Sequence, residues 1–179
     1  IGMSDIIGGG LTAVFWFFLA SQLDTDVYGE IHYYLGIAGL AQIISLIANS
    51  NVITVYVAKK IKLISTLFFI SLVIGSFSSL MIIILFTRID ASLLVLTYIM
   101  VELSNGVLLG KKLFKKYSLF MFIQKALTLV LGIGFYFIFG EIGIIFALVL
   151  SYLHYLIIVM KELRTEKIDF SLLKRIIFP

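Results

Sequence analysis

Two apolar runs meet across four lysines (Lys111, Lys112, Lys115 and Lys116) within the stretch MVELSNGVLLGKKLFKKYSLFMFIQKAL at 100–127. No other feature narrows the possible folds as far. A run of about 20 apolar residues is long enough to cross a hydrocarbon core about 30 Å thick. Lysines between two such runs mark a hairpin whose turn stays in the cytoplasm. Each run also holds one ionisable residue well inside it, Glu102 before the lysines and Lys125 after them. Charge at membrane depth is expensive, so both are functional-site candidates by default. The composition agrees: 61% of residues are hydrophobic and only 13% charged, with a mean hydropathy of +1.15, whereas a typical soluble domain carries about 25% charged residues.

Read in order, the runs predict an all-α polytopic membrane protein of six spans: 6–23, 31–58, 63–86, 91–109, 117–139 and 142–160. The first holds FWFF, a Gly8-Gly9-Gly10 cluster and no charge. It lacks the basic start and small-residue cleavage site of a secretory signal, so it reads as a retained helix. An acidic, turn-like tract at 24–30 follows. The second run is too long to stand upright in the bilayer and is interrupted at Asn49-Ser50-Asn51, where it could bend.

Basic residues fall on one side of this pattern. Lys59, Lys60 and Lys62 follow the second run, the four lysines follow the fourth, and Lys161, Arg164, Lys167, Lys174 and Arg175 follow the sixth, leaving only Arg88 and Lys125 of the 14 elsewhere. The opposite turns carry Asp24, Asp26, Glu30, Asp90 and Glu141. That asymmetry predicts both termini in the cytoplasm. Residues 1–161 form the six-span lobe and 162–179 a cytoplasmic linker. In the linker, apolar residues at 172, 173, 176 and 177 lie opposite Lys174 and Arg175, behind a possible Asp169 or Ser171 cap, which predicts a short amphipathic helix on the membrane surface. Pro179 suits the start of another element, and with Ile1 at the other end the expectation is an excerpt of a longer protein.

Several function classes drop out. Without cysteine there is no disulfide scaffold and no Cys-ligated zinc. A net charge of +4 placed in the turns reports topology and not nucleic-acid binding. There is no Ser-His-Asp set, P-loop or metal-ligand spacing, and His32 and His154 fall on different runs, so the chain reads as a non-enzyme.

Depth singles out the polar candidates. Lys125 lies eight residues past Tyr117 and Glu102 nine before Lys111, roughly 12 and 13 Å inside the interface at about 1.5 Å per residue. Equal depth on consecutive antiparallel helices allows an ion pair. Lys125 could instead face a central cavity, or snorkel towards the interface. Gln42, Asn49, Asn51, Asn105, Gln124 and His154 are the other polar groups at depth, and inter-helical hydrogen bonds explain most such residues. Asn105 is one turn from Glu102, and Gln124 adjoins Lys125. Gly106 and Gly110 make a GxxxG spacing, and Gly132-x-Gly134 adds small residues to the fifth run; both read as packing faces.

The stretch FWFFLASQLDTDVYGEIHYYLGIAGLAQIISLIANSNVITVYVAKK resembles the opening of the Wzx-type lipid-linked oligosaccharide flippases, polysaccharide exporters of the multidrug/oligosaccharidyl-lipid/polysaccharide superfamily. Leu19-Ala20, Leu23-Asp24, Asp26 and Tyr28-Gly29 carry that likeness. Gly110, Lys111, Phe114 and Tyr117 carry a second, to the family's fourth helix, basic-aromatic loop and fifth helix, and the tail LLKRIIFP a third. The chain departs from the family where Asn49-Ser50-Asn51 stands in place of glycine.

The resemblance implies the first of two six-helix lobes of one longer chain, in the cell membrane. The lobes would rock about a shared cavity to move a polyprenyl-diphosphate-linked oligosaccharide from the cytoplasmic to the outer leaflet, for cell-surface polysaccharide synthesis. With that anionic substrate, the depth reading makes Lys125 the candidate diphosphate contact, and depth adds Glu102, Asn105, Gln124, Gln42, Asn49 and His154 as further substrate-binding candidates. The expected partners are membrane lipid, the lipid-linked oligosaccharide and the second lobe. No cofactor or metal is implied, and a coupling ion, H+ or Na+, stays open. The competing readings are a cation exporter of the same superfamily and a non-transporting membrane scaffold.

Overall fold

An apolar run in lipid must satisfy its own backbone N–H and C=O groups, and a helix does so within one segment. The computed structural model describes residues 2–165 and 167–169, and among them it is all-α, without a strand. In chain order come α1 (Gly2–Gln22), α2 (Thr25–Ser45), α3 (Ser50–Ala58), α4 (Ile64–Phe86), α5 (Ile89–Gly110), α6 (Phe114–Phe139), α7 (Ile142–Tyr152), a 3-10 turn (Leu153–Tyr155) and α8 (Leu156–Thr165). Five stretches are long and apolar enough to cross a membrane: 25–58, 64–86, 89–110, 114–139 and 142–165. A shorter apolar helix covers 6–22. These helices fit a multi-pass membrane protein.

The second expected run departs most from its sequence reading. It breaks at 46–49, not at 49–51, and Ser50 and Asn51 already belong to α3. Asn49 is the N-cap: its side-chain oxygen accepts a hydrogen bond from the Val52 N–H at 3.1 Å, satisfying a donor that the helix start leaves free. The acidic tract at 24–30 is helical from Thr25 onward rather than a turn, with Asp24 extended at the N-cap position and Asp26 in the first turn, where a negative charge meets the positive end of the helix dipole. The lysine loop is shorter than its spacing suggests, because Lys115 and Lys116 sit in the first turn of α6 and only 111–113 are left to connect. The sixth run tightens into a 3-10 turn at Leu153–Tyr155. The amphipathic helix expected at 171–178 lies outside the described residues.

Packing puts α5 at the centre. It touches α2, α3, α4, α7 and α8, and Leu94, Val95, Ile99, Leu103 and Val107 are buried along it. Helix α5 is buried along most of its length, whereas α6 buries only Thr128 and Gly132. Helix α6 runs along one side, held mainly by α1 and α7 and only lightly by α5. The periphery is apolar, with Phe17, Phe77, Ile84 and Phe137 turned outward, as a lipid-facing surface requires. The helix contacts instead bury small hydroxyls. Ser45 Oγ meets Ser78 Oγ at 2.9 Å between α2 and α4, Ser79 Oγ donates to the Ser92 carbonyl at 2.8 Å, and Thr128 and Ser151 pair at 2.9 Å between α6 and α7. Such bonds are the usual inter-helical glue, each worth about 0.6 kcal/mol.

Two ion-pair clusters tie opposite ends of the bundle. At the end with the acidic turns, Arg88 binds Asp90 through two nitrogens (3.0 and 2.8 Å), reaches Glu30 at 2.8 Å and lies 4.3 Å from the centre of the Tyr34 ring. The Asp90 hydrogen bonds raise its already high pKa further, so the guanidinium stays charged. At the basic end, Lys111 pairs with the buried Glu162 at 2.6 Å, joining α5 to α8.

Candidate functional site

Small residues decide where each charge inside an apolar run goes. Glu102, Gly106 and Gly110 recur every four residues and so share one face of α5. That face receives α3. A Cβ added at Gly106 would stand 2.7 Å from the Ile53 Cβ and 2.8 Å from the Ser50 carbonyl oxygen. At Gly110 it would stand 2.6 Å from the Val57 Cβ. The GxxxG spacing is thus a packing face, and Thr54 Oγ1 bridges it, donating to the Ser50 carbonyl (2.7 Å) with the Gly106 carbonyl also within reach at 3.1 Å.

With the backbones this close, Glu102 reaches the start of α3 and its Oε1 accepts the Ser50 N–H at 3.0 Å. Together with Asn49, it satisfies two of the donors exposed by the break, and its charge sits against the positive end of a helix dipole.

Lys125 belongs to a second contact, between α6 and α1. It lies seven residues before Gly132, again on one face, and Gly132 leaves room for the Phe15 ring of α1. The Lys125 stem packs on Gly8, and its Nζ donates to Thr12 Oγ1 at 3.3 Å. The Thr12 hydroxyl itself donates to the Gly8 carbonyl at 2.9 Å. Lys125 is half-buried and, among the described residues, has no carboxylate within ion-pair distance. The Glu102–Lys125 pair allowed by their matched depths does not form: each turns to a different helix.

A third contact, α6 against α7 and the 3-10 turn, takes Gln124 and His154. Gln124 is half-buried and stands beside Tyr152 of α7. His154 places Nδ1 2.9 Å from the Ser151 carbonyl and Nε2 3.1 Å from the Phe120 carbonyl. Carbonyl oxygens only accept, so a neutral imidazole can donate to one of the two.

Asn105 is half-buried beside the Glu102 face, and its Oδ1 is enclosed without a hydrogen-bond partner among the described residues. Gln42 is half-buried on α2, one turn before the break. The seven candidates therefore divide among separate helix contacts instead of converging. Ser50 was legible only as part of the break, and Thr12 and Tyr152, which receive or meet the candidates, were not singled out from the sequence. Thr12 follows Gly8 by four residues, the one signal that could have found it. Among the described residues no cluster of three metal-ligating side chains occurs. Compared with protein-family models, curated proteins and solved structures, the chain matches none of them.

Proposed function

We propose that the chain is a six-span lobe of a flippase of the kind it resembles, with both termini in the cytoplasm, and that Lys125 contacts the diphosphate of a polyprenyl-linked oligosaccharide. The observation that carries this reading is the state of Lys125: an ammonium at membrane depth, half-buried, facing one hydroxyl and no carboxylate. A cation held this way keeps donors for an anionic ligand, and lysine binds phosphate groups as a point charge. Glu102 takes a different role from the one its depth suggested. Bound to Ser50, it shapes the broken second span in this reading. Transport would proceed by alternating access against a second lobe. A cation exporter fits this arrangement poorly, since the unneutralised charge is positive. The scaffold reading draws support from Glu102 and Asn49, whose hydrogen bonds are internal.

The test is transport of a lipid-linked oligosaccharide by the full-length protein, normalised to its amount in the membrane. Lys125→Ala should reduce transport at least about tenfold, the scale of one lost charge-assisted contact. Lys125→Arg should keep part of it, since charge survives while donor geometry changes. Near-normal transport by Lys125→Ala removes the substrate-contact role. Orientation is checked separately, on a chain that has no cysteine of its own. A cysteine at Lys112 or Lys167 should be shielded from an impermeant thiol reagent applied outside intact cells, and one at Asp26 should react.

A further inference from the structure

Two open troughs follow one another along α7 and α8. The first, about 500 Å³, is walled by Phe135, Phe139, Phe146 and Leu150 and presents no polar surface. The second, about 600 Å³, continues from the shared residue Leu153 past Ile157 and Met160 and ends at Lys161 and Arg164. Both basic residues are exposed, and among the described residues neither forms an ion pair. Glu162 between them faces the opposite way, buried against Lys111.

We infer that this trough is a binding site for an anionic phospholipid of the surrounding bilayer, with its phosphate on Lys161 and Arg164 and one acyl chain against Leu153 and Leu150. Length supports the match. Leu150 and Lys161 are eleven residues apart, about 16 Å along a helix, and one leaflet of a 30 Å core is about 15 Å deep. Charge supports it as well, since the cationic end lies on the side where the basic tracts gather and where anionic headgroups attract lysine and arginine. An uncharged lipid could fill the apolar part but would leave both cations without a counter-charge. The site rests on the membrane-spanning reading and is independent of transport.

Trp16 is the only tryptophan, so a single reporter can be placed in a Trp16→Phe background of the full chain in bilayers. Fluorescence from Leu150→Trp is quenched with brominated phosphatidylglycerol or brominated phosphatidylcholine, and Phe137→Trp, on the outward face of α6, serves as control. At Leu150 we expect phosphatidylglycerol to be preferred by about fivefold or more, since each cation near an anionic headgroup adds roughly that factor. Lys161→Gln with Arg164→Gln should bring the preference close to one, with quenching at Phe137 unchanged. Equal quenching by both lipids overturns the inference, as does a preference that survives the double substitution. Quenching at Phe137 but not at Leu150 also overturns it, because a second copy or another part of the protein then covers the trough. No quenching at either position would instead defeat the membrane-spanning reading.

Discussion

The contacts of α5 with α3 and of α6 with α1 use the same device to opposite ends. Each carries glycine where the neighbouring helix comes close, and each has one ionisable residue in register with that glycine. Glu102 meets a backbone N–H at 3.0 Å, at the start of a helix whose dipole favours its charge. Lys125 meets a threonine hydroxyl at 3.3 Å whose own proton is committed to Gly8. In the first contact the carboxylate caps a helix start, so its charge lies against the positive end of a dipole. The second leaves an ammonium with hydrogen-bonding capacity to spare. Burial alone would not separate the two, since both side chains are half-buried. Partner chemistry separates them. On the proposed reading, the charge completed by a helix terminus is structural, and the one that meets only a neutral hydroxyl is left for a ligand.

The most damaging way to break the contrast is to pry the first contact apart. Gly106→Leu would push four carbons into Ile53 and the Ser50 carbonyl, and backbone cannot give way as a side chain can. Loss of roughly 3 kcal/mol is expected, at the upper end for overpacking, read as a sharp fall in melting temperature and membrane level. Gly134→Leu is the control, because nothing lies within 4 Å of that position, and it should melt close to the parent. A silent Gly106→Leu would mean that α3 is not seated on α5.

Next in size is Glu102→Leu. The Ser50 N–H would lose its acceptor inside the bundle, which costs about 1–3 kcal/mol. Glu102→Gln keeps a carbonyl oxygen in place and should lose less than half as much. The order Leu worse than Gln worse than parent, in thermal melts of purified protein, is the expected result. Equal losses for the two would show that the charge, and not the hydrogen bond, holds α3.

Much of the fold was legible in the sequence, because hydropathy and charge act over whole runs. Five membrane-length stretches and a shorter first helix follow from apolar length alone, within a few residues at most ends. The breaks were harder. Asn49-Ser50-Asn51 was readable as an interruption, but placing it required knowing that Asn49 caps forward onto Val52, a choice made by backbone geometry. At the candidate site, matched depth suggested a Glu102–Lys125 pair, since depth is what spacing reports. Azimuth decides the partner. Glu102 shares its face of α5 with Gly106 and Gly110, so whichever helix packs on the glycines also meets the carboxylate. The four-residue spacing holds that information; that α3 is the helix in question depends on tertiary packing.

The smallest expected effect is the most discriminating. Lys125→Met should change stability by no more than about 0.5 kcal/mol in either direction, the range of substitutions that break no special feature. On one side, the substitution removes a long hydrogen bond to Thr12, whose hydroxyl keeps its bond to the Gly8 carbonyl. On the other, it removes a charge from a partly desolvated site, while methionine's unbranched chain can lie on Gly8 as the lysine stem does. The two effects oppose each other and neither is large. Because Glu102 and Lys125 contact different helices, the Glu102→Gln, Lys125→Met double variant should lose the sum of the single losses to within about 0.5 kcal/mol, as uncoupled sites do. If Lys125→Met alone costs as much as Glu102→Leu, or if the double variant recovers what Glu102→Gln loses, then Lys125 is structural and the two contacts do not differ in kind.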